Sequence, residues 1–248
     1  MKRYIMLSAA LLGVAFSYGQ DKNTDYKPID LNLQVKTMHL WRGYRVTDAA
    51  LSAATLAYTS PDGHWKAGFW GGYSFNGQYT EFDNFVEYSN KGFYVGLWDI
   101  NNFSDYPNAK FFSYKHNGSR FVDLTLAYQL QNEKFPLRLS VSTILFGRDF
   151  YTENNDTKSR YSTYIDLSSR VWRQGSSQLT AGVAGAFALR NGDDMTAHFY
   201  GEKANLVNVY LQYSKNITVL NHTMPVSALA MYNPERQIGG LQFAINLF

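Results

Sequence analysis

From about residue 31 onward, apolar residues recur at every second position in runs of about ten, and that period limits what the chain can fold into. Successive side chains of a β-strand point to opposite faces, so a period of two marks strands with one apolar face. Val122, Leu124, Leu126, Tyr128 and Leu130 alternate with Phe121, Asp123, Thr125, Ala127 and Gln129. Leu137, Leu139, Val141, Thr143 and Leu145 alternate with Arg138, Ser140, Ser142 and Ile144. The same pattern predicts strands at Leu31–Trp41, Leu51–Thr59, His64–Phe75, Glu81–Ser89, Phe93–Ile100, Arg120–Leu130, Leu137–Phe146, Arg160–Val171, Gln178–Leu189, Asn205–Tyr213, Thr223–Tyr232 and Gln237–Phe248. The expected fold is all-β: an antiparallel transmembrane β-barrel of about twelve strands, an even number that places both termini in the periplasm.

A soluble sandwich shows the same alternation with its apolar face inward. Three features favour a membrane. The strands are about ten residues long, which matches a tilted bilayer crossing. Aromatics gather near strand ends, with Tyr58, Trp65, Tyr88, Phe93, Tyr128, Trp172 and Tyr213 toward one rim. Trp41, Tyr73, Phe75, Phe82 and Tyr161 fall toward the other, so the two sets resemble interfacial girdles. Connections also alternate in length. Short ones at 60–63, 90–92, 131–136 and 173–176 carry Pro, Gly, Asn and Asp turn chemistry. Longer ones at 42–50, 101–119, 147–158 and 190–203 are polar and are expected outside the cell. Asn76 to Thr80 is short for an outer loop, Asn233 to Arg236 is a tight outer turn, and Ser214 to His222 is long for a periplasmic one. In the first strand Leu31, Leu33 and Val35 share one face while Met38 and Leu40 share the other, which predicts a bulge near Lys36. Phe111 to Lys115 is open to two readings, loop or strand extension.

The N-terminus has the three parts of a secretory leader: Lys2 and Arg3, an apolar stretch from Tyr4 to Phe16, and small residues Ser17 and Gly19 before Gln20. The expected division is a cleaved leader at 1–19, a periplasmic segment at 20–30 and a barrel at 31–248. Later in the chain nothing approaches the apolar length of a membrane helix. There is no Cys, hence neither a disulfide nor a thiolate metal site. Removing Lys2 and Arg3 takes the net charge from +3 to about +1, too little for a nucleic-acid footprint. The terminal Phe248 resembles the signal read by the barrel assembly machinery, although it is in phase with Asn246 and Ala244 rather than with Leu247 and Ile245.

The segments Leu40-Trp41-Arg42-Gly43, Trp65-Lys66-Ala67-Gly68-Phe69-Trp70, Gly92-Phe93-Tyr94-Val95-Gly96-Leu97-Trp98 and Tyr232-Asn233-Pro234-Glu235 together resemble the TorF family of outer-membrane porins. The resemblance implies an outer-membrane barrel with a channel role and no catalytic residues.

The polar faces carry the candidate chemistry. Arg138, Arg148, Arg160 and Arg170 would form a basic stripe along one wall if Arg148 paired with Arg160 and Arg138 with Arg170. Lys66, Asp83 and Glu87 lie away from that stripe, and Asp123 and Asp166 offset it. Segregated charges across a narrow channel orient permeating solutes. The competing reading is that these groups pair internally and fill a closed lumen. The histidines form no HxH or HxxxH pair, so neither a metal nor a cofactor is expected. His116-Asn117-Gly118-Ser119 loosely resembles the His/Ser pairs of outer-membrane lipid hydrolases but shows no oriented third group. The expected function is passive diffusion of small solutes with a weak anion preference, without enzymatic activity. The alternatives are a lipid hydrolase and a structural or surface-binding barrel. Expected partners are outer-membrane lipids, the assembly machinery through the last strand, and small solutes.

Overall fold

Twelve of the alternating segments form the wall of a closed, antiparallel β-barrel in the computed structural model, which describes residues 26–106, 108–115, 118–192 and 196–247. The expected leader, most of segment 20–30, His116, Asn117 and Phe248 lie outside the described residues. In chain order the strands are β1 (Ile29–Lys36), β2 (His39–Trp41), β3 (Tyr44–Thr47), β4 (Leu51–Thr59), β5 (Trp65–Ser74), β6 (Thr80–Asn90), β7 (Phe93–Asn101) and β8 (Arg120–Gln129). They continue as β9 (Leu137–Gly147), β10 (Phe150–Glu153), β11 (Asp156–Ser159), β12 (Ser162–Gln174), β13 (Ser177–Ala188), β14 (Asn205–Val219), β15 (His222–Asn233) and β16 (Ile238–Asn246). Each wall strand pairs with the next wall strand in sequence, and β1 closes the ring against β16. The hairpins β2–β3 and β10–β11 stand apart as two small sheets.

The faces divide as the alternation requires. Leu56, Phe69, Val86, Leu97, Leu126, Leu139, Ile165, Val183, Leu211 and Phe243 are exposed on the outside. Ala53, Ala57, Ser140, Ser142, Ala184, Gln242 and Ala244 are buried on the inside. A sandwich with an inward apolar face is therefore excluded. Tyr58, Trp65, Phe93, Tyr128, Trp172 and Tyr213 ring the end that carries the short turns. Tyr73, Phe75 and Phe82 are exposed toward the other end, which carries the loops. Both Ile29 and Asn246 point to the turn end, as an even strand count demands.

Three expectations are corrected. The chain does not bulge at Lys36 and stay in the wall. It bends at Thr37 and Met38 and turns inward as β2–β3, so Trp41 lies inside the barrel rather than on a rim. That explains the phase slip between Val35 and Met38. The segment 214–222 is not a long turn: β14 and β15 pair as far as Val219 with His222, around Leu220 and Asn221 at φ +49° and +66°. Such a mirror-image two-residue turn fits the right-handed strand twist. The expected loop at 147–158 contains β10–β11, turned by Asn154 and Asn155 in the same left-handed region. Of the two readings of Phe111 to Lys115, the loop holds.

Candidate functional site

The inward hairpin is built around its turn. Trp41 pairs with Tyr44, and Arg42 and Gly43 take φ +45° and +84° between them. Gly43 is required twice over, by its positive φ and by contact, since a Cβ there would lie 2.2 Å from the Val207 carbonyl oxygen. The Asn233 amide donates to the Gly43 carbonyl at 3.2 Å, and the Leu40 N–H donates to Gln242 at 2.9 Å. The hairpin thus sits against β14, β15 and β16.

Across the lumen, Arg42 grips β8. Its two terminal nitrogens donate to both oxygens of Asp123 at 2.7 and 2.8 Å, to the Tyr200 hydroxyl at 2.9 Å and to Thr125 at 3.1 Å. The guanidinium also lies 4.7 Å from the centre of the Trp41 ring. The Asp123 side chain is only 2% exposed, so the pair is a charge-assisted fork in a largely buried setting. His39, on the same hairpin, sits between Trp70 and Tyr79 with ring centres 5.7 and 5.6 Å away. Burial pushes its imidazole down to about 3, and the neighbouring Lys36 acts in the same direction.

Residues 196–204 complete the closure. Phe199 and Tyr200 fold onto Trp41, and Tyr200 is fully buried. The Phe199 N–H donates to the Ser162 hydroxyl at 2.8 Å, which donates in turn to Asp149 at 2.8 Å. Burial raises the Asp149 carboxyl, with the Ser162 bonds opposing. Glu235 accepts from the backbone N–H groups of Glu202 and Lys203 at 2.8 and 3.0 Å.

Beneath the hairpin lies a cavity of about 520 Å³. Its lining carries the cations Lys36, Arg42, Arg138 and Arg148 and the carboxylates Glu81, Asp83, Asp123 and Asp166. Lumen aromatics leave this space open by lying flat on the wall. A Cβ at Gly182 would sit 2.2 Å from the Tyr210 ring, and Tyr94 lies over Gly96 in the same way. On the loop side of the hairpin is a second chamber of about 540 Å³, lined by Tyr44, Arg45, Asp48, Gln78 and Asp105 among others. Trp41, Val46, Asn102 and Arg148 line both chambers and so form the divide.

The sequence-predicted residues separate into two groups. Asp83, Asp123, Arg138, Arg148 and Asp166 meet at the cavity. Asp83 accepts from the Asn101 N–H at 3.0 Å, and Asp166 accepts from the Tyr210 hydroxyl at 3.2 Å. Arg148 lies over Phe121 and Phe199 at 4.9 and 5.5 Å. Glu87 accepts from Tyr94 and Trp98 at 2.8 and 3.0 Å. Lys66 pairs with Asp30 at 3.1 Å at the turn-end mouth, away from the cavity. Arg160 bonds the Phe150 and Ala197 carbonyls and fastens the loops. Arg170 lies at the turn end beside Glu133 and Arg173. The four-arginine stripe therefore does not form: Arg138 stands opposite Ser168, and Arg170 opposite Thr180. The expected pairing assumed that Arg148 and Arg160 face each other in the wall, whereas both lie beyond the strand ends that flank the small hairpin β10–β11.

Sequence reasoning missed Lys36, Trp41, Arg42 and Tyr200 as site residues. The phase slip after Val35 was the signal for the first three, because it marks the point where the chain leaves the wall; Tyr200, between β13 and β14, had no such signal. Glu81 shares the face of Asp83 and was legible by phase alone. Ser119 is buried and donates to Asn101 at 2.6 Å. Among the described residues no cluster suits a metal ion.

No family model matches this chain, and no curated protein matches it. Among solved structures it is similar to a chain from work on the in-meso crystallization of membrane proteins, at 9% identity and a TM-score of 0.44, covering 88% of this chain and 82% of that one. It is also similar to a bacterial polysaccharide outer membrane secretin, at 12% identity and a TM-score of 0.38, covering 89% and 74%. A third likeness is to the β domain of the Bordetella autotransporter Brka, at 13% identity and a TM-score of 0.39, covering 89% and 98%. With TM-scores of 0.44 or less, the barrel assignment rests on this chain's own strand pairing.

Proposed function

We propose that this chain is an outer-membrane barrel that passes small polar solutes past an inward-folded hairpin. A continuous apolar outer surface between two aromatic rims supports a bilayer location, because soluble monomers rarely expose such surface. The leader-like N-terminus and the TorF-like motifs support the outer membrane, with β16 offering exposed Leu241 and Phe243 to the assembly machinery. The observation that carries the transport reading is the pair of chambers meeting at Trp41, Val46, Asn102 and Arg148. Four cations face four carboxylates around the inner chamber, so charge selectivity is weaker than a four-arginine stripe would give.

Planar-bilayer conductance of the refolded protein tests this reading. The native protein should show small, intermittent conductance, and Arg42→Ala should show larger and longer openings, because it releases the grip on Asp123. Silence in both proteins, with the barrel shown to be folded, would leave a structural or surface-binding role. The hydrolase alternative rested on His116 with Ser119; His116 lies outside the described residues, and the Ser119 hydroxyl donates to Asn101 at 2.6 Å.

A further inference from the structure

The connection between β7 and β8 does something unusual on the outside of the wall. Asp99 continues the outward phase of Val95 and Leu97, and Arg120 continues that of Val122. The two form an ion pair on the outer face, with Arg120 nitrogens 2.6 Å from both Asp99 oxygens. An ion pair facing hydrocarbon is costly unless covered. Here it is covered. Phe111 and Tyr114 lie over the guanidinium at 5.0 and 4.8 Å, the Tyr114 hydroxyl donates to Asp99 at 2.7 Å, and the Arg120 side chain is only 3% exposed.

This cover also continues the aromatic rim. Phe69 stacks on Phe82, Phe82 meets Phe111, and Phe111 meets Phe112, with ring centres 5.7, 6.1 and 5.0 Å apart. Phe112 is 83% exposed, an open phenylalanine at the edge of an apolar belt. Lys110 and Lys115 flank it, both exposed, and no acidic residue lies between positions 106 and 115.

We propose that residues 110–115 form a docking surface for anionic lipid headgroups in the leaflet at the loop end. Phe112 enters the boundary between headgroups and acyl chains, and Lys110 and Lys115 face the headgroup charge. The inference rests on the outer belt facing lipid. Aromatic rings favour that depth, and lysines extend their heads toward the polar side. Each lysine should enrich anionic lipid up to about fivefold, the equivalent of about 1 kcal/mol.

Phe112→Trp provides the reporter, with the parent protein as background. The full chain is placed in phosphatidylcholine vesicles containing phosphatidylglycerol, and one of the two lipids is brominated. Brominated phosphatidylglycerol should quench the reporter several-fold more than brominated phosphatidylcholine. Adding Lys110→Gln and Lys115→Gln should bring the ratio close to one. Equal quenching by both lipids with the lysines intact would overturn the proposal, and so would an unquenched reporter. Leu126→Trp, in the middle of the belt, separates the two failures. If it is quenched while the Phe112→Trp reporter is not, only the docking surface fails. If neither is quenched, the membrane reading itself fails. The chain has no cysteine, so a fluorophore on Ser113→Cys gives the same readout should Phe112→Trp not fold.

Discussion

Arg42 holds its place through Asp123, and the cost of separating them is asymmetric. Removing the cation leaves a carboxylate with a 2% exposed side chain and no counter-charge, a loss of about 3–5 kcal/mol for a buried pair. Arg42→Ala should therefore loosen the hairpin, seen as faster proteolysis between residues 38 and 47. The double variant Arg42→Ala with Asp123→Asn should recover part of the loss, because it leaves no orphan charge. His39 adds a pH dependence. Its imidazole is held down to about 3 when the hairpin is docked and returns to its ordinary range when it is released. Released hairpin then binds a proton that docked hairpin cannot. Docking is strongest above about pH 6.5, the ordinary value, and weakens as pH falls from there toward 3. Channel openings should grow more frequent on acidification through pH 5, and His39→Gln should flatten that response. Neither residue stood out as a site in the sequence, although Arg42 sits in one of the TorF-like motifs. Arg42 looked like one more loop arginine, since nothing local says that its turn points inward to a strand about eighty residues away.

At the scale of elements, the wall was legible and the hairpin was not, for one physical reason. A wall strand repeats its rule every two residues, so Leu124, Leu126 and Tyr128 confirm one another. A break in that rule fits either a bulge or a departure from the wall, and the choice depends on partners elsewhere: Val207, Asn233 and Gln242. Register between strands was legible only to within two residues, because a shift of two keeps every side chain on its face. The faces themselves yield a test. Leu126→Arg or Val141→Arg should cost about 2–4 kcal/mol in denaturant unfolding from vesicles. Arginine at Thr125 or Ser142, on the polar side, should cost less, although it breaks their mutual hydrogen bond of 2.7 Å. Ser162 is not a neutral control, since its hydroxyl joins Phe199 to Asp149.

For the whole molecule, orientation follows from the contrast between its ends. Both ends of the wall lie on a side that carries only short turns, and the long connections lie on the other with the tight turns at 75–79 and 234–237. Single cysteines in loops 102–119 or 196–203 should label on intact cells, whereas cysteines at Asp62 and Gln174 should not. Equal labelling at all four places would remove the proposed orientation.

The ring closes on a short zipper. Because β1 leaves the wall after Lys36, its register with β16 covers Gln34–Asn246, Val35–Ile245 and Lys36–Ala244, whereas β14 and β15 pair from Val209–Tyr232 to Val219–His222. The Gln34 amide that meets Asn246 is 212 residues away from it in sequence. Contacts so distant are the slowest to form, and neighbouring hairpins have far less chain to bring together. The strand that must arrive last is also the one from which the inward hairpin hangs, and that hairpin's partners, Asp123, Val207 and Asn233, come together only when the wall has curved around. Sealing the cylinder and placing the hairpin in its bore thus draw on the same strand. An unsealed sheet has no bore to narrow, and a sealed one holds its own constriction.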